Sequence, residues 1–309
     1  MNRHIYIKSP ADGLGLNTVA ICSSGEPKAV LLFIHGLCGK IGRMLPAMEH
    51  FSEAGYACVC FDMRGHGNSI IDEKDRGYTY KGGSDAITMD IQGVVDWISS
   101  SFPQRPIYII SHSMGSLAAR TYLKSDDSRI EGLIVCGSPS YNPLSPFARF
   151  VMHIYNGLTD GRSRPEWLQK YTSDRYNKEF EEEGFQAWIC SDPAERERFF
   201  ADPECNYTCT TDCILTLLLL MKETYSRKGW HVANPSLPIL FISGEEDPCM
   251  ISMNDFHNAA GFLNSVGYTD VHSIICTGMR HEVLNEIGKE TVWDEIERFV
   301  STSGEHRDG

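Results

Sequence analysis

The 309-residue chain contains no apolar run long enough to span a bilayer. Its first residues, Met1 to Pro10, read as a polar strand and lack the apolar centre of a signal peptide. Neither a transmembrane segment nor an exported precursor is expected, and the expected location is cytoplasmic. Cationic residues are scarce: 28 Lys and Arg stand against 41 Asp and Glu, giving a net charge of -13. A surface of that sign repels a phosphate backbone, so nucleic acid is excluded as a partner. The eleven cysteines are odd in number and scattered, with no disulfide framework. Cys58, Cys60, Cys136 and Cys276 fall inside apolar strand runs, where a thiol behaves as a small hydrophobe. Cys205, Cys209 and Cys213 recur every fourth residue, but no His or second thiol pair completes a metal spacing. No metal is expected there. Internal repeats and low-complexity segments are also missing, which excludes solenoid and linker architectures.

What remains is a globular composition, 42% hydrophobic, with enough apolar residues for a sizeable core. His4 to Lys8 and Thr18 to Cys22 bracket a glycine-containing turn and read as an opening hairpin at a sheet edge. Buried strands follow at Ala29 to Ile34, Ala57 to Phe61, Ile107 to Ile110 and Gly132 to Cys136. Between them lie a helix from Met44 to Ala54 and a second with Ile87, Ile91, Val94, Val95 and Ile98 on one face. This alternation predicts an α/β fold, a mostly parallel central sheet flanked by helices. From residue 140 to 235 the rhythm breaks into helical stretches at Pro146 to Leu158, Pro193 to Phe200 and Asp212 to Tyr225. The segment reads as a helical cap inserted into a core made of 1–139 and 236–309. Strands at Pro238 to Ile242 and Val271 to Cys276 and a last amphipathic helix complete the core, and Ser301 to Gly309 reads as a polar tail that frays.

The chemistry lies in the loops after the strands. Ser113 follows the central strand in the pattern Ser111-x-Ser113-x-Gly115, a strand-to-helix turn in which close packing demands small residues on either side of the serine. Ser111 stands where a glycine is usual and adds a hydroxymethyl group to a crowded position. A serine hydroxyl needs a His to take its proton and a carboxylate to fix the His tautomer. His281 follows the last strand directly, and Asp247 lies in the loop after the preceding one. Glu245 and Glu246 compete with Asp247 for the acid role. His35, and His66 with Asp62, read as loop-shaping residues, and His112 is directed away from Ser113 by its adjacency.

Taken together, His35-Gly36-Leu37, Asp62-x-Arg64-Gly65-His66-Gly67-x-Ser69, Ser113-Met114-Gly115, Gly244-x-x-Asp247-Pro248 and Arg280-His281-Glu282-x-Leu284-Asn285-Glu286 span nearly the whole chain. In this order they resemble the α/β-hydrolase group that includes monoacylglycerol lipases, bacterial lysophospholipases and the serine aminopeptidase S33 domain. The resemblance implies a serine hydrolase that cleaves carboxylic esters without metal or organic cofactor. It also implies an oxyanion hole formed by the backbone N–H groups of Leu37 and Met114. The expected partner is a small ester or lipid such as a monoacylglycerol or lysophospholipid, with transient contact to a membrane surface. The apolar run Ile214 to Met221, through Leu215, Leu218 and Leu219, either lines an acyl groove or packs the cap onto the core. A short-chain esterase, an aminopeptidase using Glu179, Glu181, Glu182 and Glu183 to hold an ammonium, and a non-catalytic binding protein are the alternatives.

Overall fold

The computed structural model describes residues 2–23 and 25–305. β1 (Asn2–Lys8) and β2 (Gly15–Cys22) form the antiparallel hairpin, and β1 is an edge strand. β3 (Val30–Ile34), α1 (Ile41–Glu53), β4 (Ala57–Phe61), α2 (Gly83–Ser101), β5 (Ile107–His112), α3 (Met114–Tyr122) and β6 (Gly132–Cys136) follow in strict alternation. Every residue of β3, β4, β5 and β6 is buried, as their unbroken apolar runs require. α4 (Ser145–Leu158), α5 (Glu166–Asn177), α6 (Pro193–Ala201) and α7 (Thr211–Thr224) fill the interval before β7 (Ile239–Gly244). α8 (Met253–Val266), β8 (Val271–Cys276) and α9 (Lys289–Glu305) close the chain.

The eight strands are ordered β1-β2-β4-β3-β5-β6-β7-β8, and all pairings from β4 to β8 are parallel. The chain runs outward from β3 to β4 on one side, then crosses back to place β5 on the other. That reversal opens a crevice beyond the carboxyl ends of β3 and β5, where loops from different strands can meet. Leu117, Ile91, Val94 and Leu263 pack on one sheet face, and Met48, Phe51, Val292 and Ile296 on the other.

Some elements differ from the sequence reading. α1 begins one turn before Met44 because the Ile41 N–H donates to Asp62 Oδ1 at 2.8 Å, a cap supplied from 21 residues away. α5 is an additional helix, too polar to announce itself by apolar periodicity. α9 continues through Ser301 to Glu305 instead of fraying at Ser301, while residues 306–309 lie outside the described residues.

α7 belongs to the helix layer over the sheet as well as to the insert. It packs against α2, α3 and α4, and Leu220 and Met221 share the apolar cluster of the sheet. Polar bonds fasten it: Thr79 donates to Asp212 through N–H at 3.0 Å and through its hydroxyl at 2.6 Å, and Thr224 Oγ1 donates to the Leu117 carbonyl at 3.0 Å.

Candidate active site

The turn after β5 sets the site. Ser113 has φ 52 and ψ -120, a conformation that a side-chain-bearing residue adopts only where its surroundings impose it. Its N–H is held by the Cys136 carbonyl at 3.0 Å, and its own carbonyl accepts from Ser116 N–H at 2.9 Å as α3 begins. A Cβ on Gly115 would stand 2.4 Å from the His35 carbonyl oxygen, so no larger residue fits there. Ser111 is accommodated without conflict: its side chain is directed sideways in the sheet and its hydroxyl donates to the Ile134 carbonyl at 2.8 Å.

Three loops converge on this serine. His281 Nε2 lies 2.9 Å from Ser113 Oγ, and His281 Nδ1 lies 3.0 Å from both Asp247 carboxylate oxygens. The Cys249 N–H and the Ser243 hydroxyl donate to the same carboxylate at 2.9 and 3.2 Å. Burial pushes the Asp247 pKa upward, but the His281 charge, its hydrogen bond and the Cys249 N–H outweigh it, leaving the group below the ordinary carboxylate range. Burial opposes charge on His281, but Asp247 overrides it and holds the imidazole well above its ordinary value. An ionised Asp247 accepts from Nδ1–H, which leaves Nε2 as the acceptor facing the serine hydroxyl.

The loop after β3 comes within contact of the serine from the opposite side. A Cβ on Gly36 would lie 2.8 Å from Ser113 Cβ, so the backbone approaches at the closest distance a residue allows. Leu37 follows at once, and among the described residues neither the Leu37 nor the Met114 N–H has an acceptor. Two unpaired backbone donors beside a nucleophile can hold a developing oxyanion.

The competing residues have other work. Glu245 and Glu246 are exposed, and Glu246 pairs with Arg280 at 3.3 Å. His35 Nε2 accepts from the Met63 N–H at 2.9 Å, and burial lowers its pKa to about 4. Asp62 accepts N–H bonds from Ile41 and Asn68, both at 2.8 Å, and so braces the loop beside it. Glu183 is committed to Arg280 at 2.6 Å, while Glu179, Glu181 and Glu182 face solvent. Leu215 is buried, and Leu218 and Leu219 are half-buried, all on α7; Leu219 reaches the start of α2 at Gly83.

Several neighbours escaped the sequence reading. His112 does not merely avoid the serine: its Nε2–H donates to the His281 carbonyl at 3.1 Å, and the two rings lie 4.7 Å apart. Trp188 from the insert places its ring 5.2 Å from that of His281. The insert is latched to the same loop by Glu282 N–H donating to Ile189 O at 2.8 Å and by Glu286 accepting from Ser191 N–H at 2.8 Å. Arg43 bridges Glu195 of α6 and Glu282. The pattern Phe185-x-x-Trp188 resembles the cap of lysophospholipase-like proteins, but nothing local announces these contacts.

With four strand-end loops meeting on one serine, the match to known proteins becomes interpretable. A family model described as serine aminopeptidase, S33 matches residues 25–288. The chain belongs to that family. A monoacylglycerol lipase of Mycolicibacterium smegmatis is 20% identical over 89% of each chain. A lysophosphatidylserine lipase of Gallus gallus is 32% identical, over 32% of this chain. That stretch spans about a quarter (24%) of the chicken protein's length. Among solved structures, a thermostable carboxyl esterase from Bacillus coagulans superposes with a TM-score of 0.88 at 22% identity, covering 97% of this chain and 98% of the other. A monoglyceride lipase variant from Saccharomyces cerevisiae gives 0.72 at 17% identity over 94% and 93%. These likenesses establish for this S33 family member the α/β-hydrolase fold, with its mostly parallel eight-stranded sheet.

Proposed function

We propose that this S33 family member is a serine hydrolase that cleaves carboxylic esters through an acyl-enzyme on Ser113, with lipid-like esters such as monoacylglycerols or lysophospholipids as substrates. The observation that carries the reading is the continuous hydrogen-bonded chain from Ser113 Oγ through His281 to Asp247. In the reaction, His281 Nε2 takes the Ser113 proton as Oγ attacks the ester carbonyl. The N–H groups of Leu37 and Met114 hold the resulting oxyanion. His281 then gives the proton to the departing alcohol, and a water, deprotonated in the same way, hydrolyses the acyl-enzyme. Asp247 keeps the imidazole in the required tautomer and stabilises it when charged.

The lipid class is supported by the named relatives and by the surface of α4, where Phe147, Phe150, Ile154 and Leu158 are 70%, 63%, 48% and 79% exposed along one face. That face suits transient contact with a lipid aggregate; no helix of the described residues is long and apolar enough to cross a membrane. We take residues 140–235 as the cap, rooted on the core by α7. All eleven cysteines are free, which fits the reducing cytoplasm as its location. A fluorophosphonate probe and monoacylglycerol hydrolysis test the reading together. Labelling of Ser113 with glycerol release supports it, while labelling with turnover only of acetyl esters would leave a short-chain esterase.

A further inference from the structure

We propose that Cys38 and Cys209 form an oxidation site, a thiol pair that peroxide converts into a disulfide joining the loop after β3 to the insert. Their sulfurs are 3.6 Å apart although the residues are separated by 171 positions. A disulfide bond is about 2.0 Å long, so a small side-chain rotation brings the two sulfurs to bonding distance. Cys38 is half-buried, and Cys209 beside it is buried.

Both backbones are held. Cys38 has φ 57 and lies between Leu37, the neighbour of the Gly36 backbone that touches Ser113, and Gly39, where a Cβ would stand 2.9 Å from the Gly36 carbonyl oxygen. The Cys209 N–H donates to Gln169 Oε1 of α5 at 3.1 Å, and the next residue, Thr210, donates its N–H to the Gly77 carbonyl at 2.9 Å and caps α7. The pair therefore stays aligned instead of drifting apart, and a bond between them would fix the insert to the loop that carries one of the two oxyanion donors.

The chemistry balances with a peroxide as oxidant. The Cys38 thiolate attacks one peroxide oxygen, forming a sulfenic acid and releasing hydroxide. The Cys209 sulfur then attacks the Cys38 sulfur, forming the S–S bond and expelling the second oxygen as water. Two thiols are oxidised and one hydrogen peroxide is reduced to two waters. Hydrogen bonding to Cys209, with burial, holds the Cys38 thiol well above the ordinary range; Cys209 is raised by its bond to Cys213 and by burial. The reaction is accordingly slow at neutral pH and quickens as pH rises. Cys213, whose side chain is hydrogen-bonded to Cys209, is the competing thiol, and Cys205 is also buried.

The test is hydrogen peroxide treatment of the intact protein, followed by non-reducing peptide mapping. The expected result is a linked peptide containing Cys38 and Cys209, removed by dithiothreitol and missing in Cys38→Ser and in Cys209→Ser but present in Cys213→Ser. A Cys209–Cys213 link in the wild type, or sulfinic acid at Cys38 with no link, overturns the proposal. In parallel, ester turnover of the wild type should fall on oxidation and return with dithiothreitol, whereas Cys209→Ser should lose no reversible activity. Equal reversible loss in both proteins also overturns it, because the bond would then not be the cause. The turnover measurement rests on the hydrolase reading; the peptide map does not, so failure of one is distinguishable from failure of the other.

Discussion

His281 sits between a serine it must deprotonate and a carboxylate that favours its charged form, so pH decides how much of it can act as a base. Its raised pKa means that the protonated, unreactive imidazole persists above the ordinary midpoint of about 6.5. Accordingly, kcat/KM for a soluble ester should climb with pH, with its midpoint above that value. Asp247→Asn removes the charge that raises it, and should shift the midpoint downward while cutting kcat by roughly 10⁴-fold through the wrong tautomer. Glu246→Gln should leave the pH-rate profile essentially unchanged, because Glu246 is exposed and faces Arg280. A midpoint that stays put in Asp247→Asn while moving in Glu246→Gln would mean the acid is misassigned. Ser113 and Asp247 were legible because each follows a buried strand whose apolar run marks its end, and His281 because it follows the last strand, β8, which is half-buried to exposed. The reading of His112 as directed away from Ser113 said nothing of the His281 carbonyl it reaches across 169 positions, because adjacency fixes only where its backbone goes.

At the scale of elements, α7 separates two readings that its sequence left open. Leu215 is buried, and Leu220 and Met221 belong to the sheet's own apolar cluster, which favours the packing reading. Leu215→Ser should lower thermal stability by several degrees, since emptying a buried leucine site costs about 2–5 kcal/mol and each kcal/mol moves the melting point of a chain this size by about 2–4 °C. Its chain-length profile should match wild type. If instead the roughly fourfold gain per methylene expected of an apolar groove flattens in Leu215→Ser or Leu218→Ser while stability holds, the leucines line the groove after all. The latch between insert and His281 loop makes a second prediction. Glu286 accepts from Ser191 and Arg280 N–H groups, at 2.8 and 2.9 Å, and Glu286→Ala leaves those donors without their acceptor. It should cost about 1–3 kcal/mol in a denaturant titration and lower kcat more than it raises KM, because the loop that loses its anchor carries His281. The strand order is visible only in the folded sheet, whereas the alternation of strands and helices followed from apolar runs alone. The early start of α1 did not, because its cap is Asp62 from another loop, nor did α5, whose polar sequence has no apolar stripe to read.

For the molecule as a whole, the sheet reversal between β3 and β5 explains why one place gathers the chemistry. Ser113 comes from β5, the Leu37 N–H from β3, Asp247 from β7 and His281 from β8, so residues spread over most of the chain meet only when the complete sheet is assembled. A chain with net charge -13 would repel anionic vesicles, while the exposed apolar face of α4 favours neutral lipid aggregates. Hydrolysis of a monoacylglycerol should therefore be faster in neutral micelles than in anionic ones, and the difference should shrink as salt is added; a rate indifferent to headgroup charge would detach α4 from substrate delivery. The central claim is that Ser113 is a nucleophile activated by His281 and Asp247. Its most direct test is reaction of wild type, Ser113→Ala and His281→Ala with a fluorophosphonate, followed by peptide mass spectrometry. The account requires stoichiometric modification of Ser113 in the wild type, none in Ser113→Ala, and labelling slowed by orders of magnitude in His281→Ala. Modification of another residue, or undiminished labelling of Ser113 without His281, would contradict it.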